Sequence, residues 1–252
     1  MFDAILWGLI QGLTEFLPVS SSGHLVLIPA LLDREGPDLA TTAMLHLGTL
    51  AAVVVYYRSD LASMAKFDRP ARRMITLLVV GTIPAAVLGF AFKDTIAGFV
   101  EDPSMVAIML IVTGLVLLAA ELLRLGDKRV TDIGPLDSLL TGLAQALALI
   151  PGISRSGMTI STGLVRGMTK QEAARFAFLL GIPVIAGAGF LEMAEFIGSD
   201  ESISAEVWVS VGVAAVSGYA AIAILIRLLG RIGLAPFGIY CVSFGAMASF
   251  LL

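Results

Sequence analysis

The sequence predicts an all-α polytopic membrane protein of two inverted-topology repeats, each a re-entrant helical hairpin followed by three transmembrane helices. Three observations predict it. Of 252 residues, 58% are hydrophobic and only 14% charged, with a mean hydropathy of +0.94, outside the range of soluble globular domains. Apolar runs long enough to cross a bilayer, about 20 residues each, alternate with short polar gaps. Two further apolar stretches, 4–31 and 136–166, are interrupted near their middles by proline, glycine and serine.

The elements follow in chain order. Met-Phe-Asp at the start carries no basic segment or small-residue cleavage site, so no removable signal peptide is expected. The stretch 4–31 breaks at Pro18 to Gly23, and crossings are predicted at 39–57, 73–92 and 104–123. The stretch 136–166 breaks at Pro151 to Gly157, and crossings follow at 173–195, 206–226 and 234–252. A helix broken at membrane depth leaves amides and carbonyls that only protein or a wet cavity can satisfy, so both stretches read as re-entrant hairpins. A shift of 134 residues lays Gly8 on Gly142, Gln11 on Gln145, Ser20 on Ser154, Ser22 on Ser156 and Gly23 on Gly157. It also lays the first crossing on the fourth and the second on the fifth. Residues 1–123 and 136–252 are therefore read as two repeats of a single membrane domain, 1–252.

Three crossings per repeat put the second hairpin on the opposite membrane face from the first. The basic residues agree: Arg58, Lys66, Arg69, Arg72, Arg73, Arg124, Lys128, Arg129, Arg166, Lys170, Arg175, Arg227 and Arg231 share one set of gaps. The other set holds Arg34 and Lys93 beside Glu101, Asp102, Asp200, Glu201 and Glu206. The positive-inside rule then places both termini outside, with the first hairpin entering from the exterior.

Composition excludes several classes of function. The lone Cys241 allows no disulfide framework or cysteine metal cluster. Basic residues in short gaps without interleaved aromatics offer no nucleic-acid surface. The net charge of −4 says little in a membrane protein.

Chemistry concentrates in QGLTEFLPVSSSGH, Gln11 to His24, and PGISRSG, Pro151 to Gly157. Arg155 sits at membrane depth and cannot shed its charge, so it needs an anion: a phosphate or carboxylate that its planar fork can grip, or a structural acidic partner. Glu15 and Gln11, four residues apart, share a helix face and can hold a divalent cation, Mg²⁺ or Ca²⁺, or orient a water. Glu15 alternatively caps Arg155 across the interface of the repeats. Ser20, Ser22, Ser154, Ser156 and Gly157 are substrate-binding candidates through hydroxyls and amides exposed at the breaks; Ser20 and Ser22 alternatively close the turn. Ser21, aligned with Arg155, faces the shared centre, and His24 is near enough in sequence to act as its base or to protonate a leaving group. His46 reads as a packed residue between helices, Glu121 and Glu192 as interfacial, and Thr14 as support for the first turn. An enzyme and a secondary transporter both fit broken helices in inverted repeats; a pure scaffold would gain nothing from buried charge.

Both motifs, in this order and spacing, resemble the paired signature of the bacterial undecaprenyl-diphosphate phosphatases, the bacitracin-resistance protein family, over essentially the whole chain. The resemblance implies hydrolysis of the terminal phosphate of a long-chain isoprenyl diphosphate, with Ser21 as nucleophile, His24 as the family's histidine and Arg155 as phosphate-binding arginine. Gln11 and Glu15 take the places of its acidic-or-glutamine and glutamate positions, and Ser22 stands where threonine is frequent. It further implies a divalent cation, a site open to the exterior of the bacterial plasma membrane and a role in recycling the lipid carrier of peptidoglycan synthesis. Partners are then a polyisoprenyl diphosphate and the bilayer, no nucleic acid, with room for a homo-oligomer. Direct attack by water stays open beside the covalent route.

Overall fold

A computed structural model describes residues 1–99, 102–123, 126–197 and 204–252, apart from the side chains at 39, 40, 94, 97 and 191–197. Glu101, Arg124, Asp200 and Glu201 lie outside the described residues, as does the side chain of Glu192. The chain is all-α, a polytopic membrane protein. Its helices are α1 (Phe2–Phe16), α2 (Ser21–Leu31), α3 (Leu39–Tyr56), α4 (Arg58–Met64), α5 (Arg69–Ala91), α6 (Lys93–Phe99), α7 (Pro103–Leu122), α8 (Pro135–Leu147), α9 (Arg155–Val165), α10 (Lys170–Ile197), α11 (Ala205–Ile232) and α12 (Ala235–Leu251).

Four stretches, Arg69–Ala91, Pro103–Leu122, Lys170–Phe190 and Ala205–Ile232, are long and apolar enough to cross a membrane. The other two expected crossings appear as α3 and α12, apolar helices of 18 and 17 residues. Phe90, Leu122 and Phe250 are each more than 80% exposed, an outer surface suited to lipid rather than water. Both expected breaks are present, at 17–20 and 148–154, between helices of 15 and 11 residues in the first stretch and 13 and 11 in the second. None of these four spans hydrocarbon by itself. The short α4 and α6 were not anticipated, because a single turn or two in a polar gap leaves no apolar period to read.

The breaks are brought together by packing. Helix α1 lies on α11, α5 on α8, α3 on α10 and α7 on α12, while α9 packs on α8 and α10. Small residues let these backbones approach. A Cβ added at Gly142 would fall 2.2 Å from the Gly81 carbonyl oxygen, and one at Gly114 would fall 2.6 Å from that of Gly238. Ionic contacts and a hydrogen bond fasten α4 and the end of α7 to the starts of α10 and α12. Arg175 pairs with Asp60, and Lys170 with Glu121, whose other oxygen accepts from the Leu234 amide at 2.8 Å. Glu121 is thus a joint between three helices.

Candidate functional site

The two breaks meet at a cavity of about 250 Å³. Thr14 and Glu15 enter it from the end of α1, Ser21 and Ser22 from the start of α2, His46 from α3, Gln145 from the end of α8 and Arg155 from the start of α9. The sequence builds each break the same way: Ser20 and Ser154 are N-caps, accepting from the amides of Gly23 at 3.2 Å and Gly157 at 3.1 Å. Each cap satisfies a helix-start amide and delivers the next residue, Ser21 or Arg155, as the first residue of its helix. Ser20 adopts φ 68° and ψ 101°, a conformation that costs a non-glycine residue on the order of 1–3 kcal/mol and must be held by its surroundings.

Glu15 is the hub. Its Oε1 accepts from Arg155 Nη2 at 2.7 Å; its Oε2 accepts from Ser21 Oγ at 2.6 Å and from Gln11 Nε2 at 3.1 Å. The Glu15 and Arg155 side chains are only 8% and 13% exposed, so each charge depends on the other. A phosphate oxygen entering the cavity would find a hydroxyl, a carboxylate able to take its proton, and a guanidinium. Arg155 Nη1 and Gln11 Oε1 are buried without a hydrogen-bond partner, so both keep unused hydrogen-bonding capacity.

The remaining serines divide. Ser20, Ser22 and Ser154 line the cavity. Ser22 Oγ accepts from the Gly152 amide at 3.4 Å, and Ser156 Oγ donates to the Leu17 carbonyl at 3.1 Å, so each break is tied to the other. Ser156 and Gly157 sit behind the cavity wall: the one is committed to Leu17 and the other's amide to Ser154.

The structure does not bring His24 to Ser21. Its Nδ1 lies 2.7 Å from the Ser20 carbonyl and its Nε2 lies 2.6 Å from the Tyr240 hydroxyl. A carbonyl only accepts, so Nδ1 carries the proton and Nε2 accepts from Tyr240. The ring stacks on Tyr240 with centroids 5.7 Å apart and tilts against Phe244. Both nitrogens are thus occupied in holding the strained Ser20 against α12. The histidine of the cavity is His46, expected to be a packing residue and found within electrostatic reach of Glu15.

Two further residues take part. Gln145, which the 134-residue shift lays on Gln11, is buried in the cavity wall. A Cβ at Gly181 on α10 would fall 2.1 Å from Arg155 Nη1, so that end of the guanidinium rests in space that only a glycine leaves.

Comparison with known proteins agrees with the motifs. The model of the family described as bacitracin resistance protein BacA matches residues 4–247. A relative from Alcanivorax borkumensis is 42% identical, covering 100% of this chain and 98% of its own. One from Rubrobacter xylanophilus is 40% identical over 100% and 98%, and one from Thermomicrobium roseum 39% over 97% and 95%. All three bear the name undecaprenyl-diphosphatase. Similarity that runs through both breaks and all the crossings between them leaves one conclusion, that this chain belongs to the BacA bacitracin resistance protein family.

Proposed function

We propose that the chain is an undecaprenyl-diphosphate phosphatase, hydrolysing the terminal phosphate of a long-chain isoprenyl diphosphate to the lipid monophosphate and inorganic phosphate. The observation that carries this is the Ser21–Glu15–Arg155 chain of 2.6 and 2.7 Å contacts inside an otherwise apolar helical body. A diphosphate on an isoprenoid tail needs polar groups for its head and an apolar setting for its tail, and this arrangement offers both. Ser21 Oγ attacks the terminal phosphorus and passes its proton to Glu15. Arg155 grips the oxygens on which charge is spread, the main catalytic task in phosphoryl transfer. The bond from phosphorus to the bridging oxygen breaks, and the lipid monophosphate departs with the proton. Glu15 then deprotonates a water that attacks phosphoserine, releasing inorganic phosphate and restoring the hydroxyl. Glu15, rather than His24, is the base in this account because His24 has no free nitrogen for the task.

A divalent cation, Mg²⁺ or Ca²⁺, fits the same place. Among the described residues no group of three or more His, Cys, Asp or Glu side chains forms a ready-made centre. The unpartnered Gln11 Oε1 beside the Glu15 carboxylate nevertheless offers the hard oxygen set of a cation completed by substrate phosphates. Glu15 and Gln11 would hold it, and when bound it would neutralise charge on the diphosphate. Purified protein should release one phosphate from isoprenyl diphosphate, lose this activity to a chelator and regain it with magnesium or calcium. Activity that persists in metal-free buffer would remove the cation. No phosphate release, with labelled lipid phosphate still crossing a vesicle membrane, would replace the enzyme with a transporter.

For the architecture, the same reading takes 1–123 and 136–252 as inverted repeats, with re-entrant hairpins and the site open to the exterior. Support comes from the pairing of helices. A shift of 134 residues turns α2 into α9 residue for residue, and turns the α1–α11 packing into α8–α5. His46 lies seven residues into α3, about 10 Å from the end that bears fewer basic residues. Single cysteines at Ala65 and Ser199 should react from opposite membrane sides; reaction from the same side would end the inverted arrangement.

A further inference from the structure

Gln145 is 1% exposed, and neither its Nε2 nor its Oε1 has a hydrogen-bond partner. Its side chain belongs to the wall of the cavity that Glu15, Ser21 and Arg155 also line. A buried carboxamide with both ends unmade is costly enough to need an explanation. The repeat supplies one half of it. Gln145 is the counterpart of Gln11, whose Nε2 donates to Glu15 one turn later. The residue one turn after Gln145 is Leu149, so the second repeat provides no partner for the amide within its own helix. The cavity it shares with Glu15, Ser21 and Arg155 is where such a partner can enter.

We infer that Gln145 is a substrate contact for the reaction proposed above, its Nε2 donating to the phosphate that stays on the lipid. The terminal phosphate belongs with Ser21 and Arg155, which meet at Glu15. Gln145 comes from α8, a separate wall, and meets the other phosphate group. A phosphate oxygen only accepts, which suits the amide nitrogen, and the amide is neutral, so it adds no further cation to bind the released monophosphate tightly. In this arrangement Gln145 tells a diphosphate from a single phosphate. The inference rests on the phosphatase reading for the identity of the lipid, but the contact itself can be measured without turnover.

The test uses the full chain purified in detergent, with inorganic diphosphate and inorganic monophosphate as probes. Affinities are read from protection against heat unfolding, and KM from hydrolysis of isoprenyl diphosphate. Gln145→Leu keeps the volume and removes the polar ends. It should weaken diphosphate binding by roughly 10- to 100-fold, the range of a hydrogen bond to a charged group, and raise KM to match. Monophosphate affinity should stay within about threefold, since only the lost contact separates the two ions. Melting temperature should hold or rise, because an unpaired buried group has gone. Should the leucine variant not fold, Gln145→Asn withdraws the amide by one methylene and should show the same selective loss. Ser161→Ala also deletes a buried unpartnered hydroxyl, on α9 and outside the cavity lining, and should leave every affinity unchanged. Equal diphosphate affinity in wild type and Gln145→Leu, no diphosphate binding by the wild type, or an equal loss in Ser161→Ala would each overturn the contact. If the wild type hydrolyses no isoprenyl diphosphate while Gln145→Leu still loses diphosphate selectively, the contact stands and the phosphatase reading falls.

Discussion

Glu15→Gln is expected to lower hydrolysis by about four orders of magnitude, the scale of losing a proton acceptor together with the group that orients the nucleophile. The variant keeps the shape of the side chain but not its charge. Ser21 Oγ loses the carboxylate 2.6 Å away, and Arg155 loses its counter-ion at 2.7 Å. Removing one partner of a buried ion pair costs roughly 3–5 kcal/mol when the other charge is left alone. The glutamine oxygen can still accept from the guanidinium, so only part of that loss should appear as a lower melting temperature. The measurement is phosphate release by a variant that still purifies as a folded species. Activity within tenfold of wild type would reduce Glu15 to the structural partner of Arg155.

Ser21→Ala should cost at least about a thousandfold if its hydroxyl carries the phosphoryl group, and the wild type should show a burst of lipid monophosphate equal to the enzyme present. Acid quenching during that burst should trap phosphate on Ser21. A loss of only about tenfold, with no burst, would fit a hydroxyl that merely donates to the substrate. In that outcome Glu15 activates water directly and the covalent route is closed. Gln11 would still hold the carboxylate through its 3.1 Å contact, so the alanine variant isolates the hydroxyl from the rest of the hub.

Much of this was legible in the residues. Glu15 and Arg155 are charges embedded in apolar stretches 140 residues apart, and burial leaves such groups little choice but each other. Closing the turn is one of two readings of Ser20, and the structure makes it an N-cap; Ser154, read as a substrate contact, caps α9 in the same way. The aim of the histidines was not. His24 follows Ser21 by one turn, and sequence proximity favours it as a base, but Tyr240 on α12 and the Ser20 carbonyl claim both of its nitrogens. His46 and Gln145 reach the cavity, and Gly181 reaches Arg155, only through packing between distant helices, and no local pattern marks a glycine as the seat of an arginine. The second break also begins earlier than expected, at 148, because three apolar residues before Pro151 look helical until tertiary contacts decide otherwise.

Glu15 Oε1 and Arg155 Nη2 stand 2.7 Å apart, both side chains lining the cavity, while Arg155 Nη1 has no hydrogen-bond partner. Under the proposed function the guanidinium would serve two anions at once, and covalent attachment keeps the carboxylate at high effective concentration however little phosphate is in solution. A phosphate that shares the fork with a tethered rival draws less binding energy from it than one that has it alone, so substrate and product alike would be held loosely and the product freed at the end of each turnover.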